Sequence, residues 1–111
     1  MPDSLYRIDT FTVPGGAREA FLAASTRTIA LLRTRPGFVR DRWFEKVSGA
    51  GRVDVVTMVE WADADSLRDA VEAVRALHAE HGFDAEAFAA VHGIVGSKAV
   101  YAARLVAGAD A

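Results

Sequence analysis

The segment from Val53 to Trp61 is apolar on both sides of an extended chain, and no other segment constrains the fold as strongly. One side carries Val53, Val55, Thr57, Val59 and Trp61. The other side carries Val56 and Met58. A strand with one face in water would alternate apolar and polar residues. The segment therefore predicts a central strand in a sheet that is covered on both faces.

The rest of the chain divides into strands and helices that are separated by clear breaks. Pro14-Gly15-Gly16 and Pro36-Gly37 stop the elements before them, and the glycines within 48–52 favour a hairpin turn. The predicted elements are a strand over Leu5–Val13, a helix over about 17–34, strands over Phe38–Val47 and Val53–Trp61, a helix from Asp63 or Ser66 to about Glu80, a short helix from Asp84 to Gly93, and a last strand within Ile94–Leu105, centred on Ala99–Leu105.

The order strand, helix, strand, strand, helix, strand predicts an α+β fold of the ferredoxin-like, split βαβ type, with an antiparallel sheet. One domain over residues 1–111 fits this order, with a core from about 5 to 105 and a frayed tail over 106–111. The helices of this fold cover one side of the sheet, whereas the third strand is apolar on both sides. A second copy of the chain is the expected cover, so the sequence predicts a homodimer.

Charge and composition narrow the classes of ligand. Thirteen basic and fifteen acidic residues give a net charge of -2, which provides no basic surface for nucleic acid. The absence of cysteine excludes a disulfide framework. Met1–Ser4 does not resemble a signal peptide, and no apolar run approaches the roughly 20 residues that span a bilayer. We therefore expect a cytoplasmic protein without a nucleic-acid or membrane partner, and a small aromatic molecule remains open as ligand.

Three segments resemble the antibiotic biosynthesis monooxygenase family of dimeric α/β barrels. They are Leu31–Phe38, Val55–Trp61 and Ala62–Leu67, and the similarity in order and spacing extends from Tyr6 to Leu105. The resemblance implies that the sheets of two copies pair into a dimeric α/β barrel. It also implies a reaction without metal or flavin, in which an electron-rich phenol reacts with O2 itself.

Family members differ in the residues that they place around the substrate. The quinone-forming oxygenases have an Asn four residues before a Trp on the third strand; here Trp61 matches the Trp, and Thr57 stands at the Asn position. The haem-degrading branch has an Asn on the first strand, a Trp within the second helix and a haem-binding His near the end of that helix. Here Asp9 is the nearest acid or amide on the first strand, and the second helix contains no Trp, so haem degradation is the weaker hypothesis.

His78 and His81 continue the apolar stripe of the second helix and are the candidate catalytic residues. A histidine there can act as a general base near neutral pH. The structural alternative is that both mark the helix end, with ring nitrogens bonded to backbone or water. A zincin site needs histidines at i and i+4, whereas these stand at i and i+3 without an obvious third ligand. We therefore predict no metal and no cofactor.

Four further residues form the predicted substrate-binding set. Trp61 can stack on an aromatic ring, although an aromatic residue that ends a central strand is more often core. Tyr6 can donate a proton to a carbonyl, or it can be a strand residue with its hydroxyl in water. Thr57 and Phe88 complete the set.

These residues and the resemblance predict a cofactor-independent monooxygenase that oxidises a polycyclic phenol or anthrone of the polyketide type with O2. Two alternatives remain open: a polyketide cyclase or isomerase that works by acid–base chemistry alone, and a small-molecule-binding dimer without turnover. Oxygen uptake with a model anthrone separates the first hypothesis from the other two. Cyclisation without oxygen use selects the second.

Overall fold

The computed structural model describes residues 4–104 and 106. Leu105 and most of the predicted tail, residues 107–111, lie outside the described residues. The elements in chain order are β1 (Leu5–Thr12), a 3-10 turn (Gly15–Ala17), α1 (Arg18–Leu32), β2 (Phe38–Glu45), β3 (Val55–Trp61), α2 (Ala64–Glu80), α3 (Ala85–His92) and β4 (Val95–Ala102). Within the described ranges, no helix is long and apolar enough to cross a membrane.

The strands form one antiparallel sheet in the order β2-β3-β1-β4. β3 is an inner strand between β2 and β1, as its two apolar sides predicted. Residues of all three helices pack against the same face of β3. The predicted α+β, ferredoxin-like arrangement is therefore confirmed.

The last strand lies earlier in the chain than the side-chain pattern indicated. β4 spans Val95–Ala102, whereas the prediction was centred on Ala99–Leu105. Residues 96–98 have the sequence Gly-Ser-Lys and carry no apolar side chain, yet they pair with residues 9–11 of β1. Backbone hydrogen bonding to a neighbouring strand extends β4 through a stretch with low strand propensity.

Side-chain caps fix the starts of α2 and α3. The Asp63 carboxylate accepts a hydrogen bond from the Ser66 backbone N–H at 2.8 Å, so Asp63 is the cap of α2. Asp84 caps α3 in the same way and accepts from the Ala87 N–H at 3.0 Å. Gly93 follows α3 in the left-handed conformation that favours glycine, with φ of 69°.

The core between the helices and the sheet is divided into two clusters. The first contains Ala17, Phe21, Val55 and Ile94, with Phe11, Val13, Trp43, Phe88 and Ala89 packed against them. The second contains Val59, Trp61 and Ala70, with Leu32, Phe38 and Leu67 packed against them. Along β3, Val55 belongs to the first cluster and Val59 to the second, so Thr57 lies between them. We call this interval at Thr57 the core gap.

The opposite face of the sheet, here called the open face, carries the even-numbered residues of β1 and β3, the even-numbered residues of β2 from position 40 onward, and the odd-numbered residues of β4. Ile8, Val56 and Met58 lie at its centre, and Phe44 and Tyr101 lie on the edge strands with exposures of 53% and 52%. The protein measures 44 × 37 × 17 Å. Its short dimension accommodates one sheet and one layer of helices of about 10 Å diameter. The open face is therefore uncovered in the single chain, with apolar side chains near its centre and three charged side chains on β2 and β3.

Gly37, between α1 and β2, approaches α2 closely. Its φ is 84°, and a Cβ at this position would overlap the Ser66 side chain. Gly37→Ala should therefore lower the free energy of unfolding by more than about 1 kcal/mol. Gly16→Ala is the matched control, because no described atom lies within 4 Å of its Cβ position, and it should have little effect. Urea denaturation measures both, and equal losses would contradict this explanation.

Candidate functional site

Polar residues cross the helix-covered face of the sheet at the level of the core gap. Thr57 on β3 pairs with Asp9 on β1, and Asp9 pairs with Lys98 on β4. Trp43 on β2 pairs with Thr57 from the other side. Directly paired residues point to the same face of a sheet. An indole, a hydroxyl, a carboxylate and an ammonium group are therefore aligned across the sheet, and we call this row the polar strip.

Arg7 and Asp9 form an ion pair beside the core gap. Arg7 Nε donates to Asp9 Oδ1 at 2.7 Å, and the two side chains are 25% and 18% exposed. Both residues lie on the side of β1 that carries Leu5 and Phe11, so a charged pair interrupts an apolar row. The sequence prediction omitted Arg7, Asp9 and Lys98 from the site. The interrupted row was the feature that could have identified the first two.

His78 lies near the end of α2, and the length of the helix brings it close to the level of the polar strip. The start of α2 is above the second core cluster, where Leu67 and Ala70 pack. From Ala70 to His78 the helix advances about 12 Å, which equals the length of about four residues of a strand. Thr57 precedes Trp61 by four residues on β3. His78 therefore lies near the level of Thr57, as Ala70 lies near the level of Trp61.

The surroundings of His78 favour its neutral form. Its side chain is half-buried, and this burial is the main cause that lowers its pKa below the ordinary value. The positive charges of Lys98 and Arg27 lower the pKa further. The imidazole is therefore neutral at pH 7 and able to accept a proton.

A row of aromatic rings joins the end of α2 to α3. The ring centroids of His78 and Phe83 are 4.9 Å apart, those of Phe83 and Phe88 are 5.3 Å apart, and those of Phe88 and His92 are 4.5 Å apart. Phe88 also packs against the first core cluster. The predicted residue Phe88 is therefore connected to His78 through Phe83, in an aromatic wall beside the core gap.

Two other predicted site residues lie away from this wall. His81 follows the last residue of α2, and its side chain is 47% exposed. Tyr6 pairs with Glu60 and Tyr101 on the open face, across the sheet from the helices. In the described part of the chain, no group of three His, Asp or Glu residues is placed to hold a metal ion.

Trp61 lies on the helix-covered face but inside the second core cluster. It is 2% exposed, and its ring makes an edge contact with Phe38 at a centroid distance of 5.8 Å. In this conformation the ring has almost no free surface for a ligand. Of the predicted residues, Thr57 lies at the core gap, Phe88 packs against the first core cluster and is linked to His78 through ring contacts, and Trp61 lies in the packed second cluster.

The family model for antibiotic biosynthesis monooxygenase matches residues 4–81, more than two thirds of the chain. The chain therefore belongs to the antibiotic biosynthesis monooxygenase family, as the resemblance indicated. The matched region runs from β1 through α2 and contains Thr57, Trp61 and His78. No curated protein sequence gives a significant match to the chain.

Several solved structures share the fold. SnoaB, a cofactor-independent oxygenase from Streptomyces nogalater, is 25% identical with a TM-score of 0.65 over 96% of this chain and 98% of that chain. A protein from Shewanella loihica PV-4 is 16% identical with a TM-score of 0.72 over 96% and 99% of the two chains. A haem-degrading protein from Mycobacterium tuberculosis is 16% identical with a TM-score of 0.53 over 61% and 77%. The last two comparisons show the fold alone.

Proposed function

We propose that the protein is a cofactor-independent monooxygenase that oxidises a polycyclic phenol or anthrone of the polyketide type with O2. The observation that carries the proposal is His78, a half-buried imidazole with a lowered pKa that lies beside aromatic rings. Membership of the family supports this function, and so does the similarity to SnoaB, which is itself a cofactor-independent oxygenase.

In the proposed reaction, the substrate ring lies in the core gap against Phe83 and Phe88. His78 takes the proton of the phenol or enol, so the O–H bond breaks and its electron pair stays on oxygen. The electron-rich anion transfers one electron to O2, and the substrate radical and superoxide then combine to form a C–O bond. The resulting peroxide anion takes the proton back from His78. The hydroperoxide then loses water as its O–O bond and the C–H bond of the same carbon break, so one oxygen atom remains in the product as a carbonyl and the other enters water. In this proposal the Thr57 hydroxyl donates a hydrogen bond to the substrate.

Oxygen uptake with anthrone tests this function. We expect uptake well above the spontaneous rate and equimolar with the quinone formed, and treatment of the protein with a chelator should not change the rate. Cyclisation of a polyketide-like substrate without oxygen use would instead select the acid–base enzyme. Binding without either reaction would identify a non-catalytic binding protein.

We also propose that the protein is a homodimer in which the open faces of two copies pair into an α/β barrel. Val56, Met58 and Ile8 would form the centre of the interface, and Phe44 and Tyr101 would extend it toward the sheet edges. Burial of apolar surface contributes about 25 cal/mol per Å², so a broad apolar sheet face favours association. Two-fold pairing covers both open faces at once.

A further inference from the structure

We propose that Lys98 is a further catalytic residue, which stabilises the oxyanion left on the substrate when His78 takes its proton; the inference rests on the proposed function. Lys98 lies on β4 directly opposite Asp9, on the same side of the sheet as the helices. β4 is an exposed edge strand, so the Lys98 side chain is exposed to solvent. It therefore belongs to the same polar strip as Thr57. The substrate class that this arrangement favours is an aromatic compound bound as its ionised phenol or enol.

Lys98 is not engaged by the carboxylate opposite to it. Asp9 accepts its hydrogen bond from Arg7 Nε at 2.7 Å, and none of the ion pairs formed within residues 4–104 and 106 includes Lys98. The Arg7 and Asp9 charges cancel each other. The ammonium group of Lys98 is thus available to a ligand in the core gap.

The charges around the core gap are positive in total, although the chain as a whole carries -2. The charges of Lys98 on β4 and Arg27 on α1 act on His78, and the Arg7–Asp9 pair on β1 is neutral in total. Both cations lower the pKa of His78, so their fields reach the imidazole. A positively charged site stabilises an anionic oxygen and raises the local concentration of anionic ligands.

The proposed step moves one proton, from the substrate to His78. The substrate O–H bond breaks, the proton goes to the His78 ring and the electron pair stays on oxygen, where the ammonium group can donate a hydrogen bond. An opposite charge within about 4–6 Å lowers the pKa of an acid by about 1–3 units. The oxygen-reactive anion therefore accumulates at a pH where the free substrate is neutral.

The absorption spectrum of bound naphthol gives the pKa of the ligand, because neutral and ionised naphthol absorb at different wavelengths. This measurement tests the inference without requiring turnover. We expect the pKa of naphthol on the protein to lie at least about one unit below its value in water, and to return toward that value with Lys98→Gln. Lys98→Arg should keep most of the shift. Arg68→Gln is the control, because it removes a positive charge from an exposed ion pair with Asp65. This variant should keep the whole pKa shift of bound naphthol.

Methoxynaphthalene has the same rings without an ionisable proton, so it should bind the wild type and Lys98→Gln equally. A naphthol pKa that is the same in both proteins, with equal circular dichroism spectra, would overturn the inference. If the shift depends on Lys98 and anthrone causes no oxygen uptake, the oxyanion assignment stands and the monooxygenase proposal fails. Undiminished oxygen uptake by Lys98→Gln would overturn the role of Lys98 and leave the monooxygenase proposal intact.

Discussion

His78→Ala is expected to lower the turnover of anthrone by about 10²- to 10⁴-fold, the usual contribution of a general base. The substitution removes the proton acceptor and leaves Phe83, whose ring centroid lies 4.9 Å from that of His78, as part of the aromatic wall. An oxygen electrode gives the rate, and circular dichroism shows whether the variant has folded.

His81→Ala is the matched comparison, because it removes the same group from the same end of α2. The His81 side chain is 47% exposed, so a base there would act in water, and we expect a much smaller effect on turnover. A large loss with His81→Ala alone would transfer the catalytic role to His81. Full turnover in the folded double variant would show that both histidines are structural and that an intrinsically reactive substrate is merely held in place.

The pH dependence of kcat/KM provides a second test of His78. Burial, with added effects from Lys98 and Arg27, lowers its pKa, so the base stays deprotonated below the ordinary histidine value of about 6.5. Activity should therefore persist below that pH and fall only as the pH passes through the lowered pKa. An acid limb at or above the ordinary value, or one that survives in His78→Ala, would contradict the assignment.

Val56→Asp is expected to convert the proposed homodimer into monomers. Val56 lies at the centre of the open face, so its replacement would bury an unpaired carboxylate between two sheets. An uncompensated buried charge costs about 3–5 kcal/mol, which raises the dissociation constant by at least about 100-fold. The core of the single chain lies on the other face of β3, so the monomer should still fold. Equilibrium sedimentation should then give a mass near 11.9 kDa.

Val47→Asp is the matched control for this experiment. Val47 follows β2 and is 97% exposed, so the same substitution there adds a charge without burying it. Its variant should sediment like the wild type. A wild-type protein that is already monomeric at micromolar concentration would refute the dimer, and equal dissociation by both substitutions would refute the open face as its interface.

Local sequence patterns were sufficient to predict the fold. The two apolar sides of Val53–Trp61 predicted an inner strand, and β3 is one. The sequence predicted a helix start at Asp63 or Ser66 and another at Asp84, and Asp63 and Asp84 accept hydrogen bonds from backbone N–H groups three residues later. These predictions succeeded because alternation, helical spacing and capping depend on residues that are close together in the chain.

The sequence by itself thus determined the elements, their order and the apolar character of both sides of the sheet. Only the tertiary structure decided which residues meet at the core gap. It placed Tyr6 on the open face and Asp9 on the covered face, and it brought Lys98 from β4 to a position opposite Asp9. A one-residue change of register would move each of these side chains to the other face. That register is set by hydrogen bonds between segments far apart in the chain, and no local pattern contains it.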